Sequence, residues 1–164
     1  MGRFEQIYEE HREAVRVFVR RRAPESVVDD VVSETFLVCW RKLDRVPDEP
    51  LPWLYAVARK TLANQRRRLA REQRVGAADP ASEVAELEPV GDTVLAAAFA
   101  ALSERDREVL RLIAWEGLSL SQAAVVLGCS AVTCRVRYHR AKTRLARRLE
   151  AIERFRPDLK GATR

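Results

Sequence analysis

Residues 117–142, GLSLSQAAVVLGCSAVTCRVRYHRAK, decide the fold of this chain. They read as a short apolar helix that ends near Leu127, a glycine turn at Gly128, and a second helix that Ser130 can cap. The second helix and its continuation carry many cations and have no acidic residue before Glu150. This pattern predicts a helix-turn-helix whose second helix meets nucleic acid.

The cationic helix has two distinct faces when successive residues are placed about 100° apart. Cys134 and Ala141 fall on the stripe that we expect to pack in the core. Val132 and Val136 fall on the opposite stripe with His139, and we expect this stripe to face outward. Exposed valines suit contact with thymine methyl groups in a major groove, whereas an ordinary solvated basic helix has no use for them.

The composition of the 164 residues favours a soluble protein with an anionic partner. The length suffices for one ordinary domain or two small ones, and the hydrophobic fraction of 47% is enough to form their cores. The net charge of +6 suits a polyanion. No apolar run approaches the roughly 20 residues of a membrane span, and no signal-peptide core follows Met1. We therefore expect a cytoplasmic protein without membrane insertion.

The charges divide the chain into three parts. Residues 59–74 hold seven cations and one anion and form a second basic block. Residues 75–95 hold five carboxylates and no cation, and prolines and glycines interrupt them. Apolar residues elsewhere follow helical spacing, and strand alternation is absent. The sequence predicts an all-α fold of two small helical domains, residues 1–74 and 96–153, joined by a flexible acidic linker, residues 75–95, with the helix-turn-helix in the second domain.

Helix boundaries follow from the same spacing and from the breaker residues. The first helix is predicted to bury Phe4, Tyr8 and Phe18 on its apolar side. A stiff proline connector, Pro47 to Pro52, is predicted before the third helix. The predicted helices span about 4–22, 26–42, 53–73, 93–101 and 104–116, before the helix-turn-helix.

Cysteine and histidine residues give no sign of catalysis or metal binding. Cys39, Cys129 and Cys134 are odd in number, scattered and embedded in apolar patterns, so we expect reduced, buried thiols. Cys134 and His139 lie about 140° apart around their helix, and a fourth metal ligand is missing. His11 has no partner for acid–base chemistry. We expect no metal, no cofactor, no catalytic residue and no enzymatic activity.

The tryptophans Trp40 and Trp53 have two possible roles. Single-stranded nucleic acid favours aromatic faces on which bases can stack. Large aromatic side chains are nevertheless buried more often than exposed, so core packing is the favoured role for both.

Three further segments, in this order, resemble the extracytoplasmic-function sigma factors of bacterial RNA polymerase. Residues 29–40, DDVVSETFLVCW, are similar to the helix with which that family binds the polymerase clamp. Residues 51–59, LPWLYAVAR, resemble the start of the helix that reads the minus-ten element. Residues 102–110, LSERDREVL, together with the start of the helix-turn-helix, resemble the domain that reads the minus-thirty-five element.

The resemblance implies three sets of contacts. An acidic, partly apolar face would bind the polymerase clamp, the first basic block would hold the minus-ten region, and the helix-turn-helix would read the minus-thirty-five element. The polymerase-binding residues would be Asp30, Ser33, Glu34, Leu37 and Arg41. The minus-ten residues would be Trp53, Arg59, Lys60, Asn64, Arg67 and Arg68. The minus-thirty-five residues would be Ser130, Val132, Thr133, Arg135, Val136, Arg137, His139, Arg140 and Arg144.

The resemblance also implies roles for the connecting segments. Residues 44–50 would capture a flipped base during strand opening, and the acidic linker would thread a positively charged channel of the polymerase. The partners would be core RNA polymerase and promoter DNA, and an anti-sigma protein is a further possible partner. The chain departs from the family pattern at Ser33, Lys60 and Cys134, where the family usually has Gln, Asn and Val.

Two other functions are compatible with parts of the sequence. A stand-alone helix-turn-helix regulator that binds duplex DNA without polymerase would account for the second domain, but it gives the clamp-like helix and the proline connector no role. An RNA-binding adaptor would bind in a salt-dependent way without promoter preference. The sequence favours a sigma factor that binds core polymerase and directs promoter recognition and DNA melting.

Overall fold

A computed structural model of the chain describes residues 2–75 and 93–155. Within these ranges it contains seven α-helices and one short 3₁₀ helix, and no β-strand. Three helices form a first unit and four form a second. The predicted all-α fold of two helical units is therefore confirmed. The helices are α1 (Arg3–Arg20), α2 (Glu25–Arg41), α3 (Pro50–Val75), α4 (Thr93–Ala100), α5 (Glu104–Ala114), α6 (Leu120–Leu127) and α7 (Ala131–Phe155), and the 3₁₀ helix spans Leu43–Arg45.

Some boundaries differ from the sequence prediction. Helix α3 begins at Pro50, so Pro50 and Pro52 belong to its first turn and not to a connector. Prolines fit there because the first amides of a helix have no helical acceptor. Helix α4 begins at Thr93, as the spacing predicts, so residues 93–95 are helical although the predicted linker range includes them. Helix α5 ends at Ala114, short of the predicted end at 116. The rest of that linker, residues 76–92, lies outside the described residues.

Aromatic packing at the end of α1 fixes the path of α3. The ring of fully buried Phe18 stacks on Tyr55 of α3 with their centroids 4.3 Å apart. The Arg22 guanidinium lies 3.7 Å from the centroid of Phe18, and its Nη1 donates to the Phe18 carbonyl oxygen at 2.9 Å. Arg66 of α3 donates to the Arg22 carbonyl oxygen at 2.7 Å. These contacts hold the basic half of α3 against the end of α1.

Local caps set the register of the helix-turn-helix formed by α6 and α7. Ser119 and Gln122 form a capping box at the start of α6, with hydrogen bonds of 3.1 and 2.8 Å. Gly128 ends α6 with a φ of +64°, a left-handed conformation that glycine adopts without strain. Ser130 Oγ then accepts a hydrogen bond from the Thr133 amide at 3.1 Å and starts α7. The predicted turn and cap are confirmed.

Helix α7 is the central helix of the second unit, because α4, α5 and α6 all pack against it. Cys134 and Ala141 on its contact face have no exposed surface, and Tyr138 and Leu145 on the same face are partly buried. Leu112 of α5 and Ala123 of α6 are also fully buried. Small residues allow neighbouring helices to approach closely, which leaves the other face of α7 free toward solvent.

Candidate nucleic-acid interface

The outward face of α7 is apolar at its centre. Val132 is 72% exposed and Val136 is 42% exposed, whereas Cys134 and Ala141 on the opposite face are 0% exposed. The structure therefore separates the two faces as the rotation along the helix predicts. Two exposed β-branched side chains in the first two turns form a ridge that can contact methyl groups on a base edge.

Cations and hydroxyls surround this valine ridge. Arg135, His139 and Arg140 are exposed, and guanidinium groups can bind guanine edges or phosphates with two hydrogen bonds. The hydroxyls of Ser130 and Thr133 lie 2.9 Å apart and hydrogen-bond to each other. Because Ser130 Oγ also holds the Thr133 amide, its first role is to cap the helix. The start of α7 thus combines methyl, hydroxyl and cationic groups on one surface.

Arg144, which the sequence assigns to DNA, has a partner inside the protein. Its Nη1 donates to both carboxylate oxygens of Asp106 in α5, at 3.0 and 2.8 Å. The Asp106 residue is 8% exposed, and its amide donates to Ser103 Oγ, so it is held from two sides. The pair joins residues 38 positions apart and ties the middle of α7 to the start of α5. In the sequence analysis Asp106 has no role beyond its place in residues 102–110, and this link was missed.

An open groove of about 1010 Å³ runs between α2 and α3 in the first unit. One wall carries residues predicted to bind polymerase and the other carries residues predicted to bind the minus-ten region. Sequence reasoning placed these residues in separate sites, and packing brings them to facing walls. The lining includes Asp30, Ser33, Glu34 and Leu37 from α2, and Trp53, Lys60, Asn64 and Arg68 from α3.

Three predicted residues of the first unit lie outside the groove lining. Arg41 and Arg59 are exposed on α2 and α3. Arg67 donates to the Asn64 side-chain oxygen at 2.7 Å. This hydrogen bond orients the Asn64 amide and leaves its NH₂ group free of Arg67, in a position to donate to a base edge.

A second, smaller groove contains aromatic side chains that the sequence placed in the core. Trp40 is 62% exposed, so the prediction that it packs inside is wrong. Tyr8 is 37% exposed, and its ring meets Phe36 edge-on with centroids 4.8 Å apart. Ser33 and Leu37 line both grooves, which makes the two continuous on the surface of α2. Trp53, by contrast, is half-buried and lines the larger groove.

Two known protein-family models match the chain, one in each unit. Residues 7–72 match sigma-70 region 2, and residues 93–145 match sigma-70 region 4. The RNA polymerase sigma factor NccH of Alcaligenes xylosoxydans xylosoxydans is 32% identical over 92% of this chain and 88% of that protein. The ECF RNA polymerase sigma factor SigL of Mycobacterium tuberculosis is 28% identical over 89% of this chain and 88% of that protein. The chain belongs to the extracytoplasmic-function sigma factors of the sigma-70 family.

A solved structure of a sigma factor has the same fold. The sigma factor RpoE of Bartonella quintana, in complex with the anti-sigma factor NepR, superimposes with a TM-score of 0.66 at 26% identity. The match covers 90% of this chain and 96% of that chain. All predicted polymerase-binding and minus-ten residues of this sigma factor fall in the region 2 match, and all predicted minus-thirty-five residues fall in the region 4 match.

The cysteines of this sigma factor are free thiols. Burial raises the pKa of the Cys39 and Cys134 thiols above their ordinary values. Cys134 is buried and His139 is exposed, so these two side chains do not converge on one ion. Among residues 2–75 and 93–155, no group of three metal-ligating side chains is brought together. No helix within those ranges has both the length and the apolar character needed to cross a bilayer.

Proposed function

We propose that this sigma factor binds core RNA polymerase through its first unit and reads promoter DNA through both units. The observation that carries the proposal is the start of α7, where two exposed valines stand among exposed arginines and a histidine. Such a surface can enter a major groove and contact base edges as well as phosphates. In this family the corresponding surface reads the minus-thirty-five element of the promoter. We assign to that contact the residues Ser130, Val132, Thr133, Arg135, Val136, Arg137, His139, Arg140 and Arg144.

The groove between α2 and α3 supports the assignment of the first unit. Its α2 wall is acidic through Asp30 and Glu34 and apolar at Leu37, which suits a basic partner protein. Its α3 wall offers Asn64 for a base edge and Lys60 for phosphates. A single strand of the minus-ten region lying along α3 would therefore run beside the polymerase-binding face, and DNA opening and polymerase binding would share one groove.

The half-buried position of Trp53 suits contact with the unpaired bases of the minus-ten region. Its ring lines the groove instead of filling the core, and aromatic faces stack on unpaired bases at about 1–3 kcal/mol per base. We assign Trp53 to contact with the minus-ten strand. This role is consistent with strand opening that depends on capture of bases and requires no chemical fuel.

An inhibitory partner is part of the proposal. The related RpoE was solved with an anti-sigma factor, and we propose that an anti-sigma protein also controls this chain. We further propose that the chain acts in the cytoplasm, where polymerase and promoter DNA are found, and that it is not an enzyme. Initiation factors act by binding, and the surfaces described above offer binding groups instead of a nucleophile with an activating base.

A test of the proposed function separates a sigma factor from a stand-alone regulator. Core polymerase is incubated with a library of randomised promoter fragments, with and without the chain, and the transcripts are sequenced. We expect shared upstream elements only when chain and core are both present. In parallel, the chain alone is used to capture duplex DNA from the same library. Sequence-specific capture without polymerase, combined with no effect on transcription, would contradict the proposal.

A further inference from the structure

Two thiols flank the cap that starts the recognition helix α7. Ser130 is the N-cap, so Cys129 precedes the cap and Cys134 is the fourth residue of the helix. The Cys134 amide donates to the Ser130 carbonyl oxygen at 2.9 Å, and the Cys129 amide donates to the Ala124 carbonyl oxygen at 3.1 Å. These bonds fix the backbone on both sides of the turn. Residues before the cap and at the fourth helical position are the pair that meets in a hydrophobic staple.

In this protein both positions of the staple are occupied by cysteines, Cys129 before the cap and Cys134 at the fourth helical position. Burial and, after it, the neighbouring Cys129 thiol raise the pKa of the Cys134 thiol, and neither cysteine is in a disulfide. Cys134 has no exposed surface, whereas Cys129 is half-buried and can be reached from solvent. The third cysteine, Cys39, is buried in α2 of the other unit. Two of the three cysteines therefore occupy the staple positions of the second unit, and the third belongs to the first unit.

We propose that Cys129 and Cys134 are a site of reversible disulfide formation, in which a two-electron oxidant of the peroxide class closes the staple covalently. The Cys129 thiol loses its proton to solvent and the thiolate attacks one peroxide oxygen. The O–O bond breaks, Cys129 becomes a sulfenic acid, and the other oxygen takes up a proton from solvent and leaves as water. The Cys134 thiol then gives up its proton as its sulfur attacks the Cys129 sulfur. The S–S bond forms, the S–O bond breaks, and the departing hydroxyl takes up a proton and leaves as a second water. Both sulfurs are oxidised and one peroxide is reduced.

The surroundings of the pair favour this order of steps. Cys129 lies at the N-terminus of the 25-residue helix α7, whose amide dipoles favour negative charge. Burial raises the pKa of the Cys134 thiol, which therefore keeps its proton while Cys129 reacts first. Cys134 is shielded from a dissolved oxidant, so the half-buried Cys129 meets it first and Cys134 resolves the product. A disulfide across so short a turn is strained, and strain raises the reduction potential and makes the bond easy for thiols to reopen.

The disulfide would act on the surface that reads DNA. Forming it shortens the sulfur–sulfur separation to about 2.05 Å and pulls Cys129 toward the first turn of α7. Ser130, Val132 and Thr133 lie in that turn, and a recognition surface has to be held to within about 0.5 Å to keep its contacts. We expect roughly tenfold weaker promoter binding in the oxidised holoenzyme for this reason. This consequence rests on the proposed function, whereas formation of the disulfide does not.

Mass spectrometry tests whether the disulfide between Cys129 and Cys134 forms. The full chain is reduced, exposed to hydrogen peroxide, alkylated and analysed intact and as peptides. We expect a product that has lost two hydrogen atoms, with Cys129 joined to Cys134, in the wild type and in the control variant Cys39→Ser. Cys129→Ser and Cys134→Val should not form it, and circular dichroism should show that both remain helical. Three alkylated thiols after peroxide, or oxygen added to Cys129 without a disulfide, would overturn the proposal.

The consequence is tested separately in holoenzyme. Promoter binding is measured with reduced protein, with peroxide-treated protein, and after dithiothreitol is added back. We expect loss and recovery in the wild type and no change in Cys134→Val, whose valine keeps the staple apolar. A disulfide that forms without weakening promoter binding would overturn the regulatory role. If the reduced protein itself fails to recognise a promoter, the proposed function fails while the mass result still decides whether the thiols pair.

Discussion

Two long basic helices of this protein, α3 and α7, look alike in sequence and differ in what faces them. They have 26 and 25 residues, and both are rich in arginine. Two cations of α3, Lys60 and Arg68, face a wall of α2 that carries Asp30 and Glu34, with the apolar Leu37 beside them. The exposed face of α7 instead begins with Val132 and Val136. Charge alone therefore does not define the partner.

The neighbours of each helix explain the difference. A cationic wall opposite an acidic one can hold a DNA strand while the acidic wall binds a basic protein, so α3 suits a site that two macromolecules share. A cationic helix with an apolar, solvent-facing ridge suits insertion into a groove where methyl groups are read. Variants that separate these two functions provide the tests below.

The largest effect is expected at the acidic wall of α2. Asp30→Lys with Glu34→Lys should weaken binding of core polymerase by about 2–3 kcal/mol, roughly a hundredfold, because repulsion replaces attraction across a charged interface. Both side chains are exposed, so the fold should persist. The measurement is co-elution with core polymerase on size exclusion, followed by titration.

The matched control for this double variant is on α1. Glu9 and Glu13 are also exposed carboxylates four residues apart, and reversing them changes the net charge equally. We expect this control to bind polymerase as the wild type does. Equal losses in both double variants would mean that overall charge, and not the wall of α2, governs the association.

The next effect separates base reading from phosphate binding on α7. Arg135→Ala should cost about 1–3 kcal/mol on some promoter variants and little on others, because Arg135 lies beside the valine ridge. Arg147→Ala, further along the helix, should weaken binding on all sequences and reduce the salt slope by about one. Holoenzyme is titrated against single-base variants of the minus-thirty-five element at two salt concentrations. A uniform loss in Arg135→Ala would show that this part of α7 holds only phosphate.

A smaller effect concerns Ser130, which caps α7 and is also assigned to DNA. Ser130→Asp keeps a side-chain oxygen for the Thr133 amide, and Ser130→Ala removes it. The alanine variant should lose about 1 kcal/mol of unfolding free energy, and the aspartate variant should keep it. The aspartate should nevertheless weaken DNA binding by charge repulsion with phosphate. Thermal unfolding and promoter titration measure the two properties independently, and normal DNA binding by Ser130→Asp would remove Ser130 from the interface.

Local periodicity was enough to predict the faces of α7, because the rotation per residue and the Ser130 cap both depend on neighbouring residues only. The groove of the first unit could not be predicted in this way. It exists because Tyr55 and Phe18 stack and set α3 beside α2, and the sequence does not state which helices meet. The exposure of Trp40 has the same origin, since helical spacing places it near apolar residues but packing leaves it outside.

The prolines show a different limit of sequence reasoning. A proline predicts a break only if the residue before it is helical, and Pro50 is the first residue of α3, where its fixed φ is compatible with a helix start. The sequence therefore predicts a connector from Pro47 to Pro52, although α3 begins within this segment.

The prediction for the cations of α7 lacked the ion pair of Arg144. Its partner carboxylate is 38 residues away along the chain, and helical spacing relates only neighbouring residues.

The smallest effect, and the sharpest for the role of α7, is expected from the pair of Asp106 and Arg144. The Arg144 side chain is 56% exposed, so solvent screens the pair and its loss should cost only about 0.5–1 kcal/mol of unfolding free energy. If Arg144 serves mainly to hold α7 against α5, then Asp106→Ala and Arg144→Ala should reduce discrimination among minus-thirty-five variants alike, and the double variant should be no worse than either. If Arg144 instead contacts phosphate, Arg144→Ala should lower the salt slope by about one, as Arg147→Ala does, while Asp106→Ala should free the cation and strengthen DNA binding. Promoter titration of the three variants at two salt concentrations distinguishes these outcomes, and tighter binding by Asp106→Ala would assign Arg144 to DNA after all.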